Sequence, residues 1–339
     1  MSDGKNNRGL SRCSQVELVI IVAVMLIALP ALALESHVTV TKILWREIDA
    51  FKLSDGRCDA IVVPKLGGRI VSFGLTGGFN FIYAGEPGAE KREPTLYWGG
   101  DKTYIGPHTL WKLTQPRSWP PPAPDAQEHT AEILDGGRLR TVSPPWESYD
   151  GARVTREYGF TENGDFVVTH SVAPVRSSRM IGAVWAIAQT APTDAVFVSL
   201  NPISPYKDNF YWFDFAKPKD KKGAMVLSPS LLQIKPKTGE GFKLGAHPSR
   251  PALMSVKDET AFVLAADPQK GEYPEGADGA GLSVEVYHHS EAAPNEYIEL
   301  EFLSPLRSLN HGATLTTRWS IQTISKDATA AEIERVMKQ

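Results

Sequence analysis

From His37 to Ile324 the chain is built of short runs in which apolar and polar residues alternate, each closed by glycine, proline or asparagine. A period of two sends successive side chains to opposite faces. Such runs become half-buried strands, and glycine-rich closures between them make antiparallel hairpins. The clearest case is REYGFTENGDFVVTHSVAPV (Arg156–Val175), whose alternating arms flank Asn163-Gly164, a dipeptide favoured in tight primed turns. Further strands fit HVTVTKILW, RIVSFGL, MIGAVWAIAQT, GLSVEVYHH, EYIELEFLSPL and TLTTRWSIQTI. No segment recurs at a fixed period, which argues against a propeller or solenoid. DATAAEIERVMKQ, from Asp327, has helical character, with Asp327 or Thr329 as N-cap. The pattern predicts an all-β fold, one large antiparallel sandwich with a short C-terminal helix.

The N-terminus reads differently. Lys5, Arg8 and Arg12 precede the uncharged run LVIIVAVMLIALPALAL (Leu18–Leu34), and small residues follow at Ala31-Leu32-Ala33. That order predicts a secretory signal peptide cleaved after Ala33 and a periplasmic or secreted protein. A membrane-spanning helix needs about 17–25 residues, so an uncleaved anchor is the alternative. The expected organisation is residues 1–33 as signal peptide, 34–325 as sandwich and 326–339 as helix. Cys13 falls in the leader, which leaves Cys58 without an intramolecular disulfide partner. Cys58 lies in the apolar run RCDAIVVP and is expected to be a buried thiol. Stability must then come from a large core, which 42% hydrophobic residues can supply. A formal charge of −3 provides no basic field for nucleic acid. Phosphate loop, nucleophile elbow and Cys/His metal cluster are all missing, so neither cofactor nor metal is expected.

The chemistry-bearing residues concentrate in a few places. WGGDKTYIGPHTLW (Trp98–Trp111) gathers Trp98, Asp101, Lys102, His108 and Trp111 in what reads as one connection, with Asp101 and Lys102 positioned to bond a ligand. In EYIELEFL the strand period puts Tyr297, Glu299 and Glu301 on one face. Crowded carboxylates there can acquire the raised pKa that acid–base work needs. His108 is the candidate acid. Arg69 could meet an anionic group or form a structural ion pair. Trp111, Trp119, Tyr211 and Trp212 are candidate stacking surfaces for a sugar ring. Adjacent strand residues point oppositely, so at most one of His288 and His289 faces a cleft; His170, mid-strand, reads as structural. The proline-rich Ser118–Gln127 reads as a stiff surface loop, and Tyr206–Gly223 as the rim of a site.

VVPKLGGRIVSFGLTGGFNFIY (Val62–Tyr83) resembles the opening strands of galactose mutarotase-like proteins. WGGDKTYIGPHTLWKL and YIELEFLSPLRSLNHGATLTTRWSI (Tyr297–Ile321) resemble an exported bacterial branch of that superfamily, and the likeness runs from about residue 40 to 324. The resemblance implies a large antiparallel β-supersandwich with a sugar-binding face. It also implies aldose 1-epimerase-like chemistry, with Glu299 or Glu301 as base and His108 as acid. The superfamily's N-R-I segment and its histidine in an H.YFNL setting have no counterpart here. The segment nearest in order, WAIAQTAP (Trp185–Pro192), offers Gln189. The expectation is an exported carbohydrate-binding protein, possible alternatives to an isomerase being a non-catalytic sugar-binding module and a polysaccharide lyase or hydrolase.

Overall fold

Strand pairing follows the alternation read above. The computed structural model describes residues 38–91, 98–113, 123–216, 223–276, 280–290 and 295–339. The expected signal peptide, residues 1–33, and Trp119 lie outside the described residues.

Among the described residues the strands form three antiparallel sheets. A four-stranded sheet takes Thr39–Trp45, Ile48–Ser54, Cys58–Val63 and Arg69–Leu75 in chain order. A ten-stranded sheet runs from an edge at Ala224–Ser228 to the opposite edge at Thr130–Leu134. Its centre holds Thr260–Ala266, Ala313–Thr323 and Phe166–Ala173. A seven-stranded sheet has the order Tyr211–Trp212, Phe242–Ala246, Val284–His289, Tyr297–Leu303, Ile181–Thr190, Arg307–Ser308, and Asp101–Gly106 pairs beside Ile181–Thr190.

The Arg153–Phe160 and Phe166–Ala173 hairpin forms as expected, but its turn is longer than a two-residue one. The Gly164 N–H donates to the Thr161 carbonyl at 2.9 Å. Of the Asn163-Gly164 pair only Gly164 takes a positive φ, 81°. A type I′ turn needs positive φ at both central residues, so the pair closes a wider loop instead.

Ile298, Leu300 and Phe302 turn one face of their strand into the main core, with Phe73, Phe166, Phe262 and Trp319 in the same cluster. Phe73 lies 5.4 Å by ring centroid from each of the other three aromatics. Each such side chain contributes about 1.5–3 kcal/mol by leaving water. Cys58 is buried and free, as expected, and burial pushes its thiol up to about 11. The C-terminal helix, Ala330–Met337, is started by Thr329 and Glu332 in a reciprocal capping box. Its Ile333, Val336 and Met337 pack on Phe197, Met254 and Val263. The helix is thus continuous with the strands in one compact unit, Ser36–Gln339. Among the described residues no helix is long and apolar enough to cross a membrane.

Candidate active site

Register lines up side chains in rows across the seven-stranded sheet. Glu299 lies opposite Gln189 on one neighbouring strand and Tyr287 on the other, and Tyr287 lies opposite Lys243. In the adjoining row Glu301 faces Ile187 and Glu285, and Ile187 faces Lys102. The strand period puts these residues on the face opposite Ile298, Leu300 and Phe302.

A cavity of about 400 Å³ opens over that face. Trp185, Tyr287, Tyr297 and Phe215 give it aromatic walls, and Glu299, Lys243, His108 and His289 give it polar groups. Glu299 accepts from Lys102 Nζ at 3.2 Å and from Gln189 Nε2 at 2.9 Å, both through Oε1. Lys102 and Gln189 thus sit behind the cavity wall, at 1% and 0% exposure, and position the carboxylate. Tyr297 stacks between Tyr83 and His289, with centroids 5.2 and 4.8 Å away. His108 opens a short 3₁₀ turn, His108–Leu113, and is 40% exposed at the side chain. Its Nδ1 stands 3.6 Å from Glu275 Oε1, and its ring leans on Trp185 at 6.2 Å.

Beneath this wall is a second charged group. Lys243 Nζ lies 2.6 Å from Glu285 Oε2 and 3.2 and 3.1 Å from the two Glu301 oxygens. Trp185 Nε1 donates to Glu301 Oε2 at 2.7 Å. Burial pushes the Glu301 carboxyl well above the usual carboxylate range; Lys243 opposes this, and Glu285 and Glu299 add to it. Burial likewise raises Glu285. Two buried carboxylates directly opposite in register repel each other, which disfavours ionisation of both at once. Burial would lower Lys243, but the facing carboxylates outweigh it and hold the ammonium charged.

The expected site residues therefore divide. Glu299, His108 and Tyr297 border one cavity, with Lys102 and Gln189 directly behind Glu299. Glu301 stands behind Trp185 and Lys243 rather than on the lining. Asp101 is a correction: Asp101–Gly106 is a strand, not a connection, so Asp101 and Lys102 point to opposite faces. Asp101 is buried against Arg156 and accepts from the Ile70 N–H at 2.6 Å. Of the two readings of Arg69 the structural ion pair holds and the ligand contact does not, since it is fully buried with Nη2 2.7 Å from Asp125 Oδ2. That pairing draws Asp125 inward, so Ala123–Ala126 of the expected surface loop is a short helical turn with Pro124 and Asp125 buried, while Gln127 stays exposed.

Trp98, Trp111 and Trp212 are core rather than stacking surface. Trp98 packs with Ala50, Val63, Leu66 and Val71, and Trp111 is fully buried against Tyr104 and Trp185. Trp212 lies opposite Leu244 in register, packs on Phe210 and Phe242, and so faces away from the cavity. Of the histidine pair, His289 lines the cavity while His288 turns away to Glu296 at 2.9 Å. His170 is buried between Thr103 and Thr317. The Tyr206–Gly223 segment contributes Phe215 to the lining.

Trp185, Tyr287 and Lys243 join the site without having been expected there. Their sequence signal is parity: Trp185 shares a face with Gln189, Tyr287 with His289, and Lys243 is a lone cation in the buried strand FKLGA. Among the described residues no group of three or more His, Cys, Asp or Glu is placed to hold a metal ion.

No protein-family model matches the sequence, and no curated protein matches it. In structure the chain is similar to a candidate mutarotase from Salmonella typhimurium, with a TM-score of 0.55 over 84% of this chain and 94% of that one at 7% identity. A galactose mutarotase-like protein from Clostridium acetobutylicum matches with a TM-score of 0.53 over 85% and 99% of the two chains, at 12% identity. A candidate aldose 1-epimerase from Escherichia coli K12 matches with 0.50 over 81% and 99%, at 10% identity. At these identities the likeness is one of architecture. By that architecture the chain belongs to the galactose mutarotase-like fold.

Proposed function

We propose that the cavity binds an aldose and that the protein interconverts its anomers, with Glu299 as base and His108 as acid. The observation that carries this reading is Glu299, fixed through Oε1 by Lys102 and Gln189, on the wall of the cavity that His108 also lines. A carboxylate held through one oxygen presents the other in a constant direction, which is what positioned proton transfer requires. Glu299 takes the proton of the anomeric hydroxyl, and that O–H pair becomes the second C1–O1 bond. The C1–O5 bond breaks toward O5, which receives a proton from the His108 imidazolium. Rotation about C1–C2 and the reverse steps give the other anomer. The faces of Trp185, Tyr287 and Tyr297 suit the C–H surface of a pyranose. Neighbours described as a mutarotase and an aldose 1-epimerase share the fold, which supports a sugar ligand. The basic, apolar and small-residue order of residues 1–33 supports action outside the cytoplasm after cleavage.

Polarimetry on residues 34–339 with freshly dissolved α-D-glucose and α-D-galactose tests the reading. Mutarotation faster than the spontaneous rate, and lost in Glu299→Gln, is the expected result. Binding by thermal shift with no acceleration would leave a sugar-binding protein without this activity.

A further inference from the structure

We infer that Lys243 is a catalytic residue of this cavity, its ammonium donating to the ring oxygen of the bound sugar and stabilising the charge that ring opening places there. The inference rests on the acid–base reading above for its chemistry and on separate observations for its geometry.

Lys243, Tyr287 and Glu299 occupy one row on three adjacent strands. Neighbouring strands lie about 4.8 Å apart, so the Lys243 and Glu299 backbones are about 10 Å apart with Tyr287 between them. That span admits one sugar ring over Tyr287, with an acceptor end toward Lys243 and a hydroxyl end toward Glu299. Both residues line the cavity. A hemiacetal has that polarity: the anomeric hydroxyl gives a proton and the ring oxygen accepts one.

The surroundings of Lys243 hold its nitrogen still. Its strand, Phe242–Ala246, is buried at every position. The ammonium has three N–H donors. Glu285 engages it at 2.6 Å and the two Glu301 oxygens at 3.1 and 3.2 Å, so a ring oxygen on the cavity side takes its N–H in competition with the longer Glu301 contacts. The Trp185 and Phe213 rings lie 4.9 and 5.3 Å from the nitrogen and block other orientations. The side chain keeps 11% exposure and lines the cavity, which brings it within reach of a bound ligand.

The same surroundings select the ligand atom. A phosphate or carboxylate approaching Lys243 also meets the negative charge of the Glu285–Glu301 pair and of Glu299. An uncharged ring oxygen meets no such repulsion until the C1–O5 electron pair moves onto it. Lys243 then stabilises that charge without giving up its proton, and the proton that O5 finally receives comes from His108. Donors aimed at a developing charge act in this way in oxyanion holes.

The test compares D-glucose and D-galactose with their 5a-carba analogues, in which a methylene replaces the ring oxygen, by calorimetry and polarimetry. The variant is Lys243→Met combined with Glu285→Gln, which removes one charge of each sign. Its folding is checked by melting temperature. Wild type should bind the pyranose about tenfold more tightly than the carbocycle, as expected for a charged donor. The double variant should lose that preference, and its kcat should fall about 100-fold with KM nearly unchanged. Equal binding of the two ligands by wild type overturns the assignment without recourse to any variant. So does a folded double variant that keeps kcat and the preference, because Lys243 then only neutralises Glu285 and Glu301. A Lys243-dependent preference in a wild type with no mutarotase activity overturns the acid–base reading, while the contact to the ring oxygen stands.

Discussion

Lys102 Nζ stands 3.2 Å from Glu299 Oε1 although the two residues are 197 positions apart in sequence. Their strands are separated by Ile181–Thr190, and the intervening Gln189 donates to the same oxygen at 2.9 Å. Three strands thus converge on one carboxylate atom. Sheet register, rather than a loop, sets the direction of the proposed base, and strands hold such geometry more tightly than loops do.

Lys102→Met removes a buried cation and leaves Glu299 with Gln189 alone. Glu299 retains contact with the cavity, which softens the loss, so the expected cost is up to about 3 kcal/mol, near the lower end for breaking a buried pair. Urea unfolding measures it. Pairing the change with Glu299→Gln should recover part of the loss, because no unpaired charge then remains. If the two changes simply add, the ion pair is not what couples these residues.

His108→Asn should separate chemistry from stability. The side chain is 40% exposed, so unfolding free energy should move by less than about 0.5 kcal/mol. Mutarotation should slow by about 10²–10⁴-fold, the usual contribution of a positioned acid. Full activity in this variant would assign the proton donation to another group.

Roles that depend on strand parity are legible in the sequence. Tyr297, Glu299 and Glu301 share a face because the period is two, and the same rule parts His288 from His289, of which the structure turns His289 to the cavity. Parity is masked where glycine and proline interrupt a strand. Trp98–Trp111 reads as a loop because of its glycines and proline, yet Asp101–Gly106 pairs with Ile181–Thr190, which parts Asp101 from Lys102. Trp111 and Trp212 have the chemistry for stacking, but their strand or turn directs them into the core. The Lys243 contacts with Glu285 and Glu301 depend on which strands become neighbours, and a single sequence does not state that pairing. The long-range order of the sheets was likewise not readable from local patterns.

Stability should depend on pH through Glu301. Burial raises its carboxyl well above 4.5, so the folded protein keeps a proton that the unfolded chain releases. Stability therefore falls as pH rises from about 4.5 through the raised value, by up to about 1.4 kcal/mol per pH unit. Lys243, raised above 10.5, contributes only at alkaline pH. Burial lowers His129 to about 4 and His170 well below 6.5, which gives the opposite slope as pH falls below 6.5. Comparing wild type with Glu301→Gln cancels those histidines. Urea unfolding from pH 5 to 8 should show the variant gaining on wild type as pH rises, and a constant difference would mean that Glu301 ionises normally.

Asp101→Asn should act on the fold and not on the ligand. Asp101 is 1% exposed, ion-paired with Arg156 and bonded to the Ile70 N–H at 2.6 Å. Arg156, fully buried, also donates to the Gly68 carbonyl at 2.8 Å. Neutralising the aspartate leaves that guanidinium without its counter-charge, and breaking a buried pair from one side costs about 3–5 kcal/mol. The asparagine keeps some hydrogen bonding, so about 3 kcal/mol is expected in urea unfolding. Below the melting temperature, KM for the sugar should stay within about twofold of wild type, because strand parity turns Asp101 away from the face that carries Lys102. A large rise in KM with unchanged stability would instead place Asp101 in contact with the ligand, and the strand reading of Asp101–Gly106 would have to be abandoned.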